Sequence, residues 1–319
     1  MSIEVPDISS YQPSVDWKTV VLGGIGAMFF KATEGATWND PTFISHVKGA
    51  HSVGISVGAY HFAHPESNDP IAEAKHFVSA LQQTPTDLMP VLDLESPTSP
   101  GALTGAEITA WARSFVDYVQ AQTGRKVMLY TGVWYVNTYG LSGLGDLPLW
   151  IADYGVPSVP QCGDWTSYLM WQYTDSETVN GIPGKVDMSY APSVDALRGN
   201  YTEGDMQPMS NPTVQLNSTG SAVAQLQKDL IQLGYTVVGS ADGAFGPHTL
   251  QGVEQFQKDH GLTQDGVVGP ATWAALNAAL QPKPAPKPTP QPPASTGPTP
   301  DDIQKALSLL EQATQLLKG

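Results

Sequence analysis

Cysteine is almost missing from this chain. Cys162 stands alone, so no internal disulfide can form and no thiolate cluster exists to hold structural zinc. Basic side chains are few, 15 against 30 acidic, and nowhere do they gather into a patch that replaces the counterions of a phosphate backbone. Nucleic-acid binding is excluded on that ground, as is polybasic attachment to an anionic membrane. No run reaches the roughly 18 apolar residues of a membrane span, so membrane insertion is excluded too. The opening residues Met1-Ser2-Ile3-Glu4-Val5-Pro6-Asp7 lack the basic and apolar stretches of a secretory signal. Synthesis in a cytoplasm, with export by another route, is the expectation.

What is present is length and pattern. At 319 residues the chain is long enough for two or more units. The acid excess sits in the first of them, with 22 acidic and 9 basic side chains over residues 1–205 against 8 and 6 beyond. Within that part, Leu88-Met-Pro-Val-Leu-Asp-Leu-Glu-Ser96 reads as a buried parallel strand ending in two acids. Residues two apart on a strand share a face, which sets Asp93 and Glu95 about 6.5 Å apart along one side. Two crowded acids at an apolar mouth repel each other and lose solvation, so one of them is expected to keep a proton near neutral pH and act as a general acid.

Similar apolar runs recur at 3–9, 25–33, 55–62, 126–131, 149–154, 168–174 and 184–189, separated mostly by helical segments or long loops. Eight such strands in about 200 residues predict a closed parallel α/β barrel, whose functional side chains sit at the C-terminal strand ends. Asp7, Glu34, His61, Asp93, Glu95, Tyr130, Asp153, Gln172 and Asp187 all fall there. Tyr60, Phe62, Tyr130, Trp150 and Trp171 supply flat faces for stacking on sugar rings. His61 and His64 lack a third ligand at metal spacing, and neither metal nor cofactor is expected.

Residues 1 to about 203 resemble the family 25 glycoside hydrolases, muramidases of bacterial cell walls with a somewhat irregular, TIM-like (β/α) barrel. The resemblance rests on motifs in family order: Asp7-Ile-Ser-Ser-Tyr-Gln12 with Asp16-Trp17, Phe30-Lys-Ala-Thr-Glu-Gly35, Gly58-Ala-Tyr-His-Phe62 and Asp93-Leu-Glu95. Leu129-Tyr-Thr131, Leu149-Trp-Ile-Ala-Asp-Tyr154, Trp171-Gln-Tyr173 and Val186-Asp187 continue the series. It implies that Glu95 is the general acid/base, that Asp93 is the acid paired with it, and that Asp7 and Asp187 are two further acids at the barrel mouth. Tyr60, Phe62, Tyr130, Trp150, Asp153, Trp171 and Glu34 are then the expected substrate contacts. Net retention is implied, with Asp93 either attacking directly or orienting the substrate's 2-acetamido group, and the Asp-x-Glu spacing leans to the second.

The organisation expected is a catalytic barrel over 1–205, a linker over 206–213, a helical unit over 214–281, a Pro-rich spacer over 282–300 and a final helix over 301–319. Two Asp-Gly-x-x-Gly-Pro turns, at Asp242 and Asp265, repeat within the helical unit, which resembles the peptidoglycan-binding type 1 domain. Phe245 and Trp273 there suit either core or ligand, and Gly252 is expected to weaken its helix by about 1 kcal/mol. The last helix carries Ile303, Ala306, Leu307, Leu310, Ala313, Leu316 and Leu317 along one side, a pattern for pairing with a second copy. Together these features suggest a phage-endolysin-like wall enzyme released with the help of a membrane-opening holin, with a bacterial autolysin exported by another route as the alternative setting. The competing readings are a wall-binding protein without catalysis and a glycosidase of another acetamido-sugar polymer.

Overall fold

Eight strands wrap into one closed barrel in the computed structural model, which describes residues 2–98, 101–156, 158–280 and 300–316. They are β1 (Ile3–Ile8), β2 (Ala27–Glu34), β3 (Ser56–Phe62), β4 (Val91–Asp93), β5 (Met128–Gly132), β6 (Leu149–Ala152), β7 (Met170–Glu177) and β8 (Val186–Ala191). Each pairs with the next in sequence, and β8 closes the wall against β1. The expected barrel is therefore present, with one correction: β8 runs antiparallel to both β7 and β1. No helix separates β7 from β8, so the chain turns straight back instead of crossing over. Asp187 thus lies near the start of its strand, yet on the rim where the other strands end, because it pairs with Asp7. The acid strand is also shorter than expected, since Leu88 and Met89 lie outside β4.

Helices α1 (Trp17–Leu22), α2 (Phe43–Ser52), α3 (Pro70–Gln83), α4 (Gly105–Thr123) and α5 (Val133–Tyr139) cover the outside, and the four-residue α6 (Val194–Leu197) follows β8. Their starts are written locally. Asp69 caps α3 ahead of Pro70, and Thr104 with Glu107 forms a reciprocal capping box at the start of α4. Ile108, Trp111, Ala112, Phe115, Val116 and Val119 of α4 are all buried, in the 3.6-residue rhythm the sequence shows. Each large apolar side chain removed from water this way contributes about 1.5–3 kcal/mol.

Two apolar layers result. One lies between strands and helices and includes Phe30, Phe77 and Phe115; the other fills the barrel with Val5, Phe29, Val91, Met128, Trp150 and Met170. Gly58 is required in the inner layer, because a Cβ there would come 2.1 Å from the Phe29 ring.

The chain divides into two units, residues 1–279 and 280–319. In the first, the stretch expected as a free linker is tied to the barrel. Gln207–Pro208 pairs with Ser167–Tyr168, Met209 is buried, and the Ser210 amide donates to the Val159 carbonyl. Its apolar methionines find partners on the barrel, which the polar composition of the stretch obscured. Beyond it come α7 (Ser221–Gln232), α8 (Pro247–Asp259) and α9 (Pro270–Leu280).

The sequence repeat here has a structural counterpart. Gln227 donates to Asp242, Ala244 and Thr249 and accepts from the Gly243 amide, while Gln257 does the same with Asp265, Val267, Thr272 and Gly266. Each Asp-Gly turn is thus pinned by one buried glutamine. Phe245 and Trp273 are core, and Gly252 allows close packing, since a Cβ there would meet Val238 at 2.5 Å. In the second unit the final helix, α10 (Pro300–Leu316), is present; the Pro-rich spacer lies outside the described residues.

Candidate active site

Strand parity decides what reaches the barrel mouth. Odd residues of β1 and β2 point inward, which brings Asp7 and Lys31 into the mouth; even residues of β3 and β7 do so, which brings in Tyr60, Phe62 and Gln172. The alternation persists past the end of β4, where Asp93 and Glu95 face the cavity and Leu94 packs outward. The result is a cavity of about 190 Å³ lined by all four expected acids, Asp7, Asp93, Glu95 and Asp187, together with Tyr60, Phe62, Tyr130 and Trp150.

The acids differ in environment. Burial, then the charge of Asp187, pushes the Asp7 carboxyl well above the usual carboxylate range, while a hydrogen bond from the Gln172 amide (2.9 Å) pulls it down. Burial and the Glu95 charge raise Asp93 well above that range too, against the attraction of Lys31. Asp93 Oδ1 is buried with no hydrogen-bond partner. Glu95 is raised by burial and held back by Lys31, and Asp187 is pushed up to about 6 by burial first, then by Asp175 and Glu95. Burial and mutual repulsion thus oppose full ionisation of the cluster, whose members titrate jointly.

Backbone on both sides of Glu95 is fixed by side chains. Thr131 Oγ1 donates to the Leu94 carbonyl at 2.8 Å, and the Tyr135 hydroxyl donates to the Ser96 carbonyl at 2.6 Å. Gln172 accepts from the hydroxyls of Tyr130 and Tyr154, which locks its amide toward Asp7. The Trp150 indole donates to Ser189 at 3.0 Å, and its ring lies 4.9 Å from that of Tyr130.

Three expected contacts lie elsewhere. Trp171 points away from the cavity, because it has the opposite parity to Met170 and Gln172, and its indole donates to the Asp153 carbonyl. The Asp153 side chain is not part of the lining either; burial pushes it up to about 6. Glu34 sits beside the site, bonded to Lys31 at 2.5 Å and His64 at 3.0 Å, and these partners hold it below the usual range despite burial. His61 also faces outward, buried between Thr33 and Glu73.

Ser9, Tyr11, Gln12 and Lys31 line the cavity without having been singled out. Parity alone identifies Lys31, two residues after inward-facing Phe29, and its ammonium lies 4.6 Å from the centre of the Phe62 ring. Ser9, Tyr11 and Gln12 belong to the Asp7-Ile-Ser-Ser-Tyr-Gln12 motif, which marks the turn beyond β1 without showing which of its side chains face the cavity.

The profile of glycosyl hydrolases family 25 matches residues 6–182, and that of a peptidoglycan binding domain matches residues 219–276. The chain is 33% identical to the autolytic lysozyme of Clostridium acetobutylicum, covering 84% of this chain and 77% of that one. It is 35% identical to an N,O-diacetylmuramidase of Chalaropsis, over 57% of this chain and 94% of the other. Among solved structures, the Clostridium perfringens spore cortex lytic enzyme SleM superposes with a TM-score of 0.58 at 31% identity, covering 69% of this chain and 74% of that one.

Proposed function

The chain belongs to glycosyl hydrolase family 25, and from that premise we propose that it is a muramidase, cutting the β-1,4 bond between N-acetylmuramic acid and N-acetylglucosamine in bacterial peptidoglycan. The observation that carries this is the gathering of Asp7, Asp93, Glu95 and Asp187, far apart in sequence, around one cavity with aromatic walls. Glu95 donates a proton to the departing glycosidic oxygen, and the carboxylates opposite stabilise the positive character of the sugar ring as the bond breaks.

Configuration is retained. Asp93 orients the substrate's 2-acetamido group, whose oxygen attacks the anomeric carbon; water then opens the resulting ring with Glu95 acting as base. Burial that raises Asp93 weakens it as a direct anionic nucleophile, and its unpartnered Oδ1 supports a role as acceptor for the acetamido N–H.

The helical unit over 214–281 holds the enzyme on the wall and raises the local substrate concentration. Its similarity to peptidoglycan binding domains supports this. The working setting is lysis from within, in the manner of an endolysin, with α10 pairing two copies through Ala306, Leu307, Leu310 and Ala313. Leu307 and Leu310 are 54% and 70% exposed. Removal of residues 299–319 halves the solution mass if α10 pairs, and an unchanged mass rejects pairing. The activity itself is tested by digesting purified walls and identifying the new reducing end by mass spectrometry. Muramic acid supports the assignment; glucosamine or no new end rejects it.

A further inference from the structure

We propose that the outer face of β7 and β8 is a second glycan-binding surface, separate from the catalytic cavity. Crossover helices follow β1 to β5, but β6, β7 and β8 follow one another without one, so the connections here supply no covering helix; Val186 and Met188 of β8 are buried, and the face opens at Tyr190. What fills it is aromatic. Trp171 pairs in register with Tyr190, Tyr190 with Glu4, and Tyr173 stacks on Tyr190 with ring centres 4.3 Å apart and planes 13° from parallel. Tyr168 adds a fourth ring 6.4 Å from Trp171.

Tyr168, Trp171 and Tyr190 border a concavity of about 520 Å³, larger than the catalytic one, whose rim carries Asp205 and Gln207, while Tyr173 backs Tyr190 from outside the lining. Tyr190 remains 37% exposed. A rigid aromatic ledge with an amide and a carboxylate at its edge suits a pyranose: C–H faces stack on the rings while hydroxyls and acetamido groups bond at the rim.

The occupant is the neutral glycan backbone of the wall. A barrel carrying 22 acidic against 9 basic side chains repels anionic polymers, which leaves uncharged sugar as the compatible component. Position agrees, because the rim residue Gln207 lies five residues before Pro212, whose carbonyl accepts from Trp273 in the helical unit. A strand gripped here is held close to where the chain enters its wall-binding unit, so two weak contacts reinforce each other. The choice of ligand rests on the muramidase assignment.

The test uses the full chain. In a Glu95→Gln background, Tyr190→Ala and Gln207→Ala are each measured for retention on purified peptidoglycan, and in the active enzyme each is measured for turnover of dissolved glycan fragments. Retention falls about fivefold for both, as loss of one stacking or bonding partner from a two-point grip implies. Turnover of fragments is unchanged. Unaltered retention in both variants overturns the proposal, as does a parallel fall in fragment turnover, which assigns the residues to the barrel's integrity. Should the unsubstituted enzyme cut no fragments, the muramidase assignment fails, while the retention measurement still decides the surface.

Discussion

The Gln172 amide donates a 2.9 Å hydrogen bond to Oδ2 of Asp7, and that bond opposes the burial and the Asp187 charge that raise the Asp7 carboxyl. A hydrogen bond to the charged form favours that form. Replacing Gln172 by Leu therefore raises Asp7 further, shifts the acid limb of the pH profile of kcat/KM to higher pH, and lowers kcat/KM about tenfold at neutral pH. A pH profile of the variant superimposable on that of the parent contradicts this role.

Asp187 is raised from 3.8 to about 6, so the folded state binds a proton more tightly than the unfolded one. Its contribution favours folding fully below pH 4 and is lost as pH rises through about 6. Asp187→Asn removes the loss: the variant is more stable at pH 7 by about 1–2 kcal/mol after allowance for solvent screening, and no different at pH 3.5. Thermal unfolding at the two pH values checks the sign, and activity falls even as stability rises.

Tyr135, fully buried in α5, bonds to the carbonyl that follows Glu95. Tyr135→Phe keeps the ring and loses the bond, which costs about 1 kcal/mol of stability. Misplacement of Glu95 lowers kcat about tenfold while KM holds, because the error is felt at the reacting bond and not in binding. Equal changes in both constants show that the residue supports the pocket generally.

How far these features are legible in the sequence depends on their range. Local chemistry reads well: the Thr104 box, the buried stripe of α4 and the period-2 alternation that aims Lys31 inward all follow from neighbouring residues. The antiparallel β8 does not, because nothing in Val186–Ala191 records which way it is entered; absence of a helix after β7 is the only hint. Trp171 was misassigned because its neighbour Gln172, not Trp171 itself, has the inward parity. The helix α5 is not legible in the sequence, because its seven residues, Val-Trp-Tyr-Val-Asn-Thr-Tyr, favour a strand by propensity, and packing overrides that preference.

Gly252 illustrates the same override. Helix propensity predicts that Gly252→Ala stabilises by about 1 kcal/mol, whereas the approach of Val238 to 2.5 Å from the new Cβ predicts net destabilisation of about 1–3 kcal/mol. Denaturant unfolding decides between them by sign, and a higher midpoint for the variant rejects the packing explanation.

The most direct measurement of the central claim is hydrolysis and wall binding by Glu95→Gln side by side. With Glu95 as the proton donor, release of new reducing ends falls by about two to four orders of magnitude while retention on walls matches the parent. Hydrolysis within a few-fold of the parent contradicts the account and removes Glu95 from the reaction.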